Sequence, residues 1–410
     1  MSITSPRTCM VVGSGPAGLS AALALADVGA EVVLVGPPAP PQQAADTRTA
    51  ALFTGSIAML ANLGVWPSVQ DVSAPLRAIR IIDDTGRLMR APEVLFEAHE
   101  IRLKAFGWNV PNAALTDALW AAAKSHAAIR IVETARVEGL QITQDGVRAR
   151  TVEGTEVTAR LVAAADGRNS ICRTAAGITT TAWSYDQTAI ATRFSHGRPH
   201  DDISTEFHRS AGPLTTVPLP GLASSLVWVE RPAVAQELIG MDEDAFRHIL
   251  TERLQGLLGR IDDIGPRRSF PLSGLTADTF AANRVALIGE AGHVIPPIGA
   301  QGLNLGLRDA AALADCVSEA LTQDRDIGGD ACMQHFHDAR RADVGSRSFA
   351  VDTLNRTLLS TLLPVSLVRG LGLHMIRSVG PLKRALIRYG LEPSGSRPTL
   401  MQSDQAAYRG

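Results

Sequence analysis

The first 35 residues contain the pattern that most restricts how this chain folds. The apolar run CMVV at residues 9–12 is followed at once by GSGPAG, an alanine-rich helical stretch and a second apolar run, EVVLV, at residues 31–35. This order of strand, glycine-rich turn, helix and strand within about thirty residues is typical of a dinucleotide-binding unit. We expect a pyrophosphate to lie at the N-terminus of the helix. The motif places five residues there: Gly13, Gly15, Pro16, Ala17 and Gly18.

The end of the second strand departs from this pattern. An acidic residue about 20 residues after the glycines normally accepts a hydrogen bond from the adenosine ribose. Here the strand ends in Val35-Gly36-Pro37-Pro38, and Glu31 lies at the opposite end of the strand. We therefore expect backbone groups or water to hold the ribose.

A helical pattern follows Arg48. Ile57, Leu60 and Leu63 recur at the spacing of an amphipathic helix that ends near Gly64. Arg48 precedes this helix, where the chain can return to the first glycine turn. A guanidinium group at that point would neutralise a pyrophosphate. The alternative is a solvated surface arginine.

A further polar feature lies in the middle of the chain. The run EVTARLVAAA ends in Asp166 and Gly167, and Arg168 and Arg173 follow. An aspartate at the carboxyl end of a buried strand, followed by a glycine turn, is where α/β proteins bind ligands. The alternative is an Asp-Gly turn followed by a helix N-cap.

Near residue 290 the chain repeats the arrangement of its N-terminus. A strand at residues 285–288 ends in a Gly-Glu pair, and a loop rich in glycine and proline then opens an Ala/Leu-rich helix. Such a loop presents backbone N–H groups to an anion. Two separate cradles favour FAD, because FAD can reach both, with its ribityl chain and flavin edge at the second. The strand end and the loop contain Gly289, Glu290, Pro296, Gly299, Gln301 and Gly302, and the helix begins at Leu303.

The length of 410 residues exceeds one ordinary domain, and segments of different character divide the chain. We predict an α/β fold with a Rossmann-like FAD-binding domain, an inserted, mostly antiparallel substrate-binding sheet, and a helical C-terminal region. The FAD-binding domain would comprise residues 1–75, 105–180 and 276–330. The sheet domain would comprise residues 76–104 and 181–275, and the C-terminal region residues 331–410. Asn112 is predicted to be the N-cap of a helix.

Charge and cysteine usage exclude several classes of protein. The net charge is −2, which favours no nucleic-acid partner. The four cysteines have no C-x-x-C spacing, so we predict no disulfide framework and no metal site. This cysteine usage also fits a protein of a reducing compartment. No secretory signal precedes the first strand, and no uninterrupted apolar run reaches the roughly 18 residues of a membrane span. We expect a cytoplasmic protein.

Three blocks of sequence resemble a known family. GSGPAG, AADGRNSICR and ALIGEAGHVIPPIGAQGLNLGLRDA occur in this order and at these separations in the group A flavoprotein aromatic hydroxylases. DTRTAAL and LANLGVW add a similarity to the ubiquinone-biosynthesis (UbiH-like) branch of that family. The resemblance covers nearly the whole chain.

The resemblance implies roles for particular residues. Arg48 would contact the pyrophosphate of FAD, and the Asp166-Gly167 pair would serve both FAD and transiently bound NAD(P)H. Glu290 stands where the family has an aspartate that binds ribityl or ribose hydroxyls. Because glutamate is one methylene longer, either that bond survives with a shifted backbone or the carboxylate points elsewhere.

The resemblance also implies a reaction. NAD(P)H would reduce FAD, O₂ would add to give a C4a-hydroperoxide, and its distal oxygen would pass to an electron-rich phenol ring. No catalytic residue can be named from the sequence. His196, His208 and Tyr185 lie in the predicted substrate sheet, where we expect each to be structural or exposed.

The C-terminal sequence suggests a membrane-resident substrate. Residues 354–391 carry leucines and isoleucines at helical spacing with six basic and no acidic residues, as in segments that lie on an anionic bilayer. We expect a polyprenylated phenol of ubiquinone biosynthesis as substrate, a peripheral position on the inner face of the cytoplasmic membrane, and a quinone-biosynthesis complex as partner. The alternative functions are a hydroxylase of a small soluble aromatic and a non-catalytic FAD-bearing subunit. The alternative for the C-terminal segment is a helix that packs on the FAD domain.

Overall fold

The N-terminal strand, glycine turn and helix lie at the centre of the fold. The computed structural model describes residues 5–39, 46–86, 92–297, 299–359, 380–391 and 396–402. β1 (Thr8–Val12) leads into α1 (Pro16–Asp27), and the chain returns in β2 (Glu31–Gly36), which pairs in parallel with β1. The predicted order of elements is therefore confirmed.

β1 and β2 belong to a six-stranded sheet. Four further strands join them: β8 (Ile129–Glu133), β12 (Leu161–Ala164), β19 (Ala281–Ala282) and β20 (Val285–Leu287). The order across the sheet is β19-β20-β12-β1-β2-β8, and all neighbours are parallel except β19 and β20. The carboxyl ends of β1, β12 and β20 therefore lie at one edge of the sheet, where ligands bind in folds of this kind.

Both faces of this sheet are covered. On one face α1 packs with α3 (Asn112–Ser125) and with α7 (Gln301–Thr322). On the other face lie α4 (Ile171–Ala175) and a small antiparallel sheet of β9 (Val137–Thr143), β10 (Gly146–Thr151) and β11 (Glu156–Ala159). Successive residues of β1 alternate between the two cores, as the period of a strand requires.

A nine-stranded sheet forms the second layer of the molecule. Its strands are β5 (Ala78–Asp83), β6 (Val94–Glu97), β13 (Thr180–His196), β14 (Ile203–His208), β15 (Leu214–Leu219), β16 (Ala223–Glu230), β17 (Ile261–Ile264), β18 (Arg268–Ala277) and β21 (His293–Val294). All of its pairs are antiparallel except β5 with β14. The predicted fold class is therefore confirmed, and the predicted domain boundaries stay a prediction.

Smaller elements join the two layers. β3 (Thr49–Phe53), β4 (Ala74–Pro75) and β7 (Gly107–Pro111) form a three-stranded sheet beside α2 (Thr54–Asn62). α5 (Pro232–Gly240) and α6 (Glu243–Arg253) cover the nine-stranded sheet through a core that includes Trp228 and Phe246.

The C-terminal part of the chain packs back on both layers. α8 (Asp330–Leu359) lies against α7, and α9 (Gly380–Leu391) lies against residues 98–101. Leu400 and Met401 are buried between α2 and α7, and Asn62 Nδ2 donates to the carbonyl oxygen of Leu400 at 2.9 Å. Within the described ranges, no helix is both long and apolar enough to cross a membrane.

Two local predictions need correction. Asn112 is the first residue of α3 and not its N-cap: Pro111 occupies the cap position, and no side chain caps the helix. The backbone N–H of Asn112 instead donates to the carbonyl oxygen of Arg48, which extends the pairing of β3 with β7 up to the helix. The run EVTARLVAAA is not one strand, because it divides at Arg160 into β11 and β12, which belong to different sheets.

We predict that replacing Met401 by alanine destabilises the protein. The side chain is 2% exposed within the main core, so its removal leaves a cavity and should cost about 2–5 kcal/mol of unfolding free energy. Urea unfolding followed by circular dichroism measures this. Val72→Ala, at an exposed apolar position, is the control and should change stability by less than about 0.5 kcal/mol. Equal stability of the Met401 variant and the wild type would show that residues 396–402 do not anchor the C-terminus.

Candidate functional site

The three glycines of the first cradle, residues 13–18, have different requirements. Gly13 has φ +108°, and a β-carbon there would overlap the carbonyl oxygen of Ala165. A β-carbon at Gly18 would overlap the carbonyl oxygen of Gly13. Gly15 has an ordinary φ of −75° and no atom within 4 Å of its β-carbon position. The protein's own packing therefore explains Gly13 and Gly18, whereas Gly15 leaves open space at the N-terminus of α1.

The N-terminus of α1 is free to receive an anion. Gly15 is the N-cap, Pro16 begins the helix, and no side chain caps the first-turn N–H groups. Those groups and the positive end of the helix dipole favour a phosphate. Ser14 Oγ donates to the carbonyl oxygen of Pro37 at 2.7 Å, and a β-carbon at Gly36 would lie 3.0 Å from Ser14. The end of β2 is thus packed against the first cradle, which leaves little room for the acidic side chain that usually stands there.

The second cradle, residues 289–304, packs directly on the first. Gly289 has φ +60°, and a β-carbon at Gly306 would lie 3.3 Å from the Cβ of Ala17 and from the Cα of Gly289. The absence of side chains at these positions therefore lets α7 and the end of β20 approach α1. Two glycine-rich segments nearly 280 residues apart in the sequence form one continuous site.

Asp309 fixes the start of the second cradle. Its Oδ2 accepts hydrogen bonds from Gly289 N at 2.9 Å and from His293 Nε2 at 2.7 Å, and its Oδ1 accepts from Arg340 Nε at 2.7 Å. Burial opposes ionisation of this carboxyl, but His293 and Arg340 hold its pKa below the usual value. Sequence reasoning did not identify Asp309 as part of the site.

The network continues along α8. The carboxylate of Asp343 accepts from Arg308 at 2.7 Å, from Arg340 at 3.0 Å and from Arg347 at 3.0 Å. All four side chains are buried. Burial opposes ionisation of Asp343 as well, but Arg340, Arg308 and Arg347 hold its pKa far below the usual value.

The N-terminus of α7 is the second free helix end. Its N-cap, Ala300, has φ +53° and provides no side-chain cap. Positive φ in a residue other than glycine is strained and persists only where the surroundings enforce it. Gly299 and Gly302 have no atom within 4 Å of their β-carbon positions. This end of the cradle therefore also combines free N–H groups with open space.

Polar side chains hold this loop from both sides. Gln301 donates to the carbonyl oxygen of Gly299 at 3.1 Å and accepts from Arg347 at 2.9 Å. Asn304 accepts from Phe53 N and Ser56 Oγ and donates to two backbone carbonyl oxygens, so all four of its hydrogen-bonding positions are used within the protein. Pro296 is buried and Leu303 packs partly against the main core. A direct contact of these residues with a cofactor stays a prediction.

Asp166 and Gly167 lie at the carboxyl end of β12, as predicted. The Asp166 carboxylate accepts from Ser170 Oγ at 2.6 Å and from Cys172 N at 3.1 Å, so it braces the start of α4, whose N-cap is Ser170. Gly167 has φ +80° with open space around it. Arg173 donates to the carbonyl oxygen of Ala291 at 2.8 Å and ties this turn to the second cradle.

Arg48 and Arg168 lie on the wall of a cavity between the second cradle and the nine-stranded sheet. Arg48 pairs with Asp46 at 2.7 Å and stacks over the ring of Phe270, 5.2 Å from its centroid. The hydrogen bond that Arg48 donates to the carboxylate of Asp46 raises the pKa of Arg48 above its usual value. Arg168 lies 3.6 Å from the carboxylate of Glu290 and donates to Ser273 Oγ at 3.1 Å. The Glu290 side chain is exposed and reaches this arginine, and its contact with ribityl or ribose hydroxyls stays a prediction.

The cavity has a volume of about 290 Å³. The apolar part of its wall is formed by Ala189 and Ala191 of β13, Leu226 and Val227 of β16, Phe270, Pro271 and Leu272 of β18, and residues 294–297. Thr49, Asn112, Thr192, Ser225 and Ser273 add small polar groups, and the Oδ1 of Asn112 has no hydrogen-bond partner. The sequence did not reveal these lining residues, because they come from strands that are distant along the chain.

His196, His208 and Tyr185 do not line this cavity. His196 is bonded to Arg198 O and Ser224 Oγ, and burial lowers its pKa. His208 pairs with Glu206 at 2.6 Å, and Tyr185 donates to Asp352 at 2.7 Å. The structural interpretation of these three residues agrees with their contacts.

The residues present fit FAD. Two uncapped helix N-termini and open space at Gly15, Gly299 and Gly302 form one site along the edge of the six-stranded sheet. The first end suits a pyrophosphate and the second an electron-rich ring edge beside the cavity.

Comparisons with known proteins agree with this geometry. The family described as FAD binding domain matches residues 7–345. The ubiquinone hydroxylase UbiL of Rhodospirillum rubrum is 33% identical over 385 residues, which cover 93% of this chain and 89% of that protein. The 3-demethoxyubiquinol 3-hydroxylase of Escherichia coli is 30% identical over 395 residues, with coverages of 94% and 98%.

A solved structure shows the same fold. Klebsiella pneumoniae HpxO complexed with FAD and uric acid superimposes with a TM-score of 0.74 at 18% identity, over 96% of this chain and 98% of that chain. The fold and the site define an FAD-dependent aromatic hydroxylase of group A, as the sequence resemblance indicates. The chain belongs to the FAD binding domain family, and FAD is its cofactor.

We predict that Gly15→Ala weakens FAD binding without unfolding the protein. The added methyl group has no protein neighbour and an allowed φ, so it would occupy the space at the helix N-terminus. The dissociation constant of FAD, measured by fluorescence quenching, should rise by about tenfold or more. Gly139→Ala, which is equally open but lies in β9, is the control and should bind FAD as the wild type does. Wild-type affinity in the Gly15 variant would exclude a cofactor at this turn.

The buried carboxylates predict acid lability. Because the pKa values of Asp309 and Asp343 are lowered in the fold, their stabilisation is complete above the unfolded value of about 4 and is lost as the pH falls below it. The Tm should therefore decrease between about pH 5 and pH 3. Asp343→Asn should lower the free energy of unfolding at pH 7 by about 3–5 kcal/mol, because three arginines lose their carboxylate partner. The decrease in Tm with falling pH should also be smaller in this variant than in the wild type.

Asp338→Asn provides the matched control on the same helix. Asp338 is exposed, so its replacement should leave both the Tm at pH 7 and its acid dependence unchanged. A steeper acid decrease in the Asp343 variant than in the wild type would contradict the assignment.

Proposed function

We propose that this protein is an FAD-dependent monooxygenase that hydroxylates the aromatic ring of a polyprenylated phenol in ubiquinone biosynthesis. The observation that carries the proposal is the cavity of about 290 Å³ between the second cradle and the nine-stranded sheet, in which the sheet contributes mainly apolar side chains. A cavity of this size holds an aromatic ring. The names of the two relatives, a ubiquinone hydroxylase and a 3-demethoxyubiquinol 3-hydroxylase, support a phenolic intermediate of this class as substrate.

We assign the cofactor to the predicted residues. The first cradle would bind the pyrophosphate through the N-terminus of α1, and the second would hold the ribityl chain and the flavin edge. Arg48 and the Asp166–Gly167 turn would complete the site. The full set is Gly13, Gly15, Pro16, Ala17, Gly18, Arg48, Asp166, Gly167, Gly289, Glu290, Pro296, Gly299, Gln301, Gly302, Leu303 and Asn304.

When bound, FAD supplies the redox chemistry, taking electrons from NAD(P)H and activating O₂ for transfer of one oxygen atom to the ring. The contribution of the chain is to bind, orient and exclude water. Leu226, Val227 and Leu272 would shield the reacting ring. Among the described residues of the cavity wall, the ionisable ones are Arg48, Arg168 and Glu290.

We propose that the protein works at a membrane surface. A polyprenylated phenol resides in the bilayer, and the 290 Å³ cavity accommodates its ring but not a long isoprenoid chain. The basic, apolar sequence of residues 354–391 suits an anionic bilayer. A quinone-biosynthesis complex would be a further partner on that surface.

The metabolic test is the quinone-intermediate profile, by mass spectrometry, of cells lacking the gene. We expect a prenylphenol that lacks one ring oxygen to accumulate, and its structure to identify the hydroxylated carbon. Re-expression of the wild-type chain should restore the profile. An unchanged profile in a strain without a second such hydroxylase would reject the proposal and favour a small soluble aromatic substrate.

We further predict that Ala191→Leu blocks the cavity. The larger side chain would fill space that the ring needs, so hydroxylation should decrease by about tenfold or more while FAD remains bound. NAD(P)H consumption should then release H₂O₂ instead of hydroxylated product. Ala182→Leu, at an exposed position of the same strand, is the control. Normal product yield from the Ala191 variant would place the ring elsewhere.

A further inference from the structure

Three large apolar side chains are exposed on neighbouring C-terminal helices. Phe349 of α8 is 74% exposed, and Leu386 and Tyr389 of α9 are 40% and 49% exposed. Tyr389 Oη donates to the carbonyl oxygen of Ser346 at 3.3 Å, which places α9 beside the turn of α8 that carries Phe349. These side chains, with the exposed Arg384 and Arg388 of α9, form what we call the aromatic–basic patch.

The charge around this patch identifies its partner. α9 has the exposed Arg384 and Arg388 and no aspartate or glutamate, and the sequence from residue 353 to residue 379 contains no acidic residue either. Arginines beside exposed Leu, Phe and Tyr match the interface of an anionic phospholipid bilayer, where guanidinium groups meet phosphates and the rings lie at headgroup level.

The opposite face of α9 is firmly packed. Ile387 is buried with Ala98 and Phe106, and Lys383 Nζ pairs with Glu100 at 2.7 Å. The helix is therefore a fixed part of the fold that presents its other side outward, and contact of the patch with a surface acts on a rigid element.

The end of α9 is bonded to the second cradle. The carbonyl oxygen of Gly390 accepts from Arg347 Nη1 at 3.0 Å and from Gln301 Nε2 at 3.4 Å, and Arg347 also donates to Gln301 Oε1 at 2.9 Å. Gln301 is the first residue of α7 and donates to Gly299 within the loop. Arg347 thus joins the patch-bearing helix to the residue at which the loop enters α7.

We propose that the aromatic–basic patch is the bilayer-contact surface of the protein and that Arg347 couples its position to the loop around Gly299 and Gln301. This inference rests on the proposed function for its cofactor assignment at that loop. Contact with an anionic bilayer would act on α9 and, through Gly390, Arg347 and Gln301, on the N-terminus of α7. FAD would then bind more tightly to the membrane-bound protein than to the free protein.

The first experiment tests the surface with the FAD-loaded protein. Co-sedimentation with phosphatidylcholine vesicles containing phosphatidylglycerol should exceed that with pure phosphatidylcholine vesicles by about tenfold or more. Phe349→Asp combined with Leu386→Asp should abolish this preference. Leu222→Asp combined with Val234→Asp, which changes two exposed apolar residues elsewhere, should keep it. Equal sedimentation of the patch variant and the wild type would overturn the proposal. It would also be overturned if the wild type is a dimer, the patch variant is a monomer and vesicles sediment neither protein.

The second experiment tests the coupling. Titration of FAD into the apoprotein, followed by flavin fluorescence, should show a dissociation constant about threefold or more lower with anionic vesicles than without them. Arg347→Lys keeps a cation near Asp343 but loses the fork that spans Gln301 and Gly390. It should bind vesicles as the wild type does, with an FAD affinity that vesicles no longer change.

If the Arg347 variant is unstable, Gln301→Met provides a second test, because methionine has a volume similar to that of glutamine but cannot bond to Arg347. Vesicles should also leave the FAD affinity of this variant unchanged. A wild-type FAD affinity that is insensitive to vesicles would overturn the coupling. Both readouts are independent of turnover, so they remain decisive if the quinone profile of the deletion strain rejects the proposed substrate.

Discussion

The carboxylate of Asp309 is the interaction on which the second cradle depends. It is fully buried, and it accepts hydrogen bonds from Gly289 of the loop, His293 of β21 and Arg340 of α8. A buried carboxylate is stable only when such donors offset the loss of water. The loop after β20 is therefore correctly placed only when α7 and α8 are both folded against it. This requirement explains why an FAD-binding site needs helices from the C-terminal part of the chain.

The same network gives the cofactor loop a local charge. Arg308, Arg340 and Arg347 surround the two carboxylates of Asp309 and Asp343, so the buried cluster contains one more guanidinium group than carboxylates. Interactions between charges weaken less with distance in a protein interior than in water. The excess positive charge lies behind the N-terminus of α7, whose dipole has the same sign. Both favour negative charge on a ligand at this end of the site, which suits a reduced flavin.

The sequence was sufficient for features that depend on local pattern. Both cradles follow short apolar strands and precede alanine-rich helices, so their glycines could be assigned from spacing alone. Arg340, Asp343 and Arg347 also recur at helical spacing, but a charged stripe normally indicates a solvated face, and here it is buried. The cavity wall depends on the register of β13 with β16 and β18, which a single sequence does not specify. Asn112 was assigned wrongly because a capping preference is local, whereas its backbone is held by Arg48.

The charges at the cavity favour an uncharged ring over an aromatic acid. A small aromatic carboxylate would need a cation that is free to bind it. The two arginines of the described cavity wall each have a carboxylate neighbour, Asp46 for Arg48 and Glu290 for Arg168. The longer side chain of Glu290 is what reaches Arg168, and Arg168 also donates to Ser273 of the sheet. Such exposed ion pairs contribute only about 0–1 kcal/mol to the free energy of unfolding. Their main effect is that the two carboxylates compensate the positive charge of the arginines at the cavity. The uncharged ring of a prenylated phenol fits a cavity whose wall is partly apolar and whose described arginines are paired.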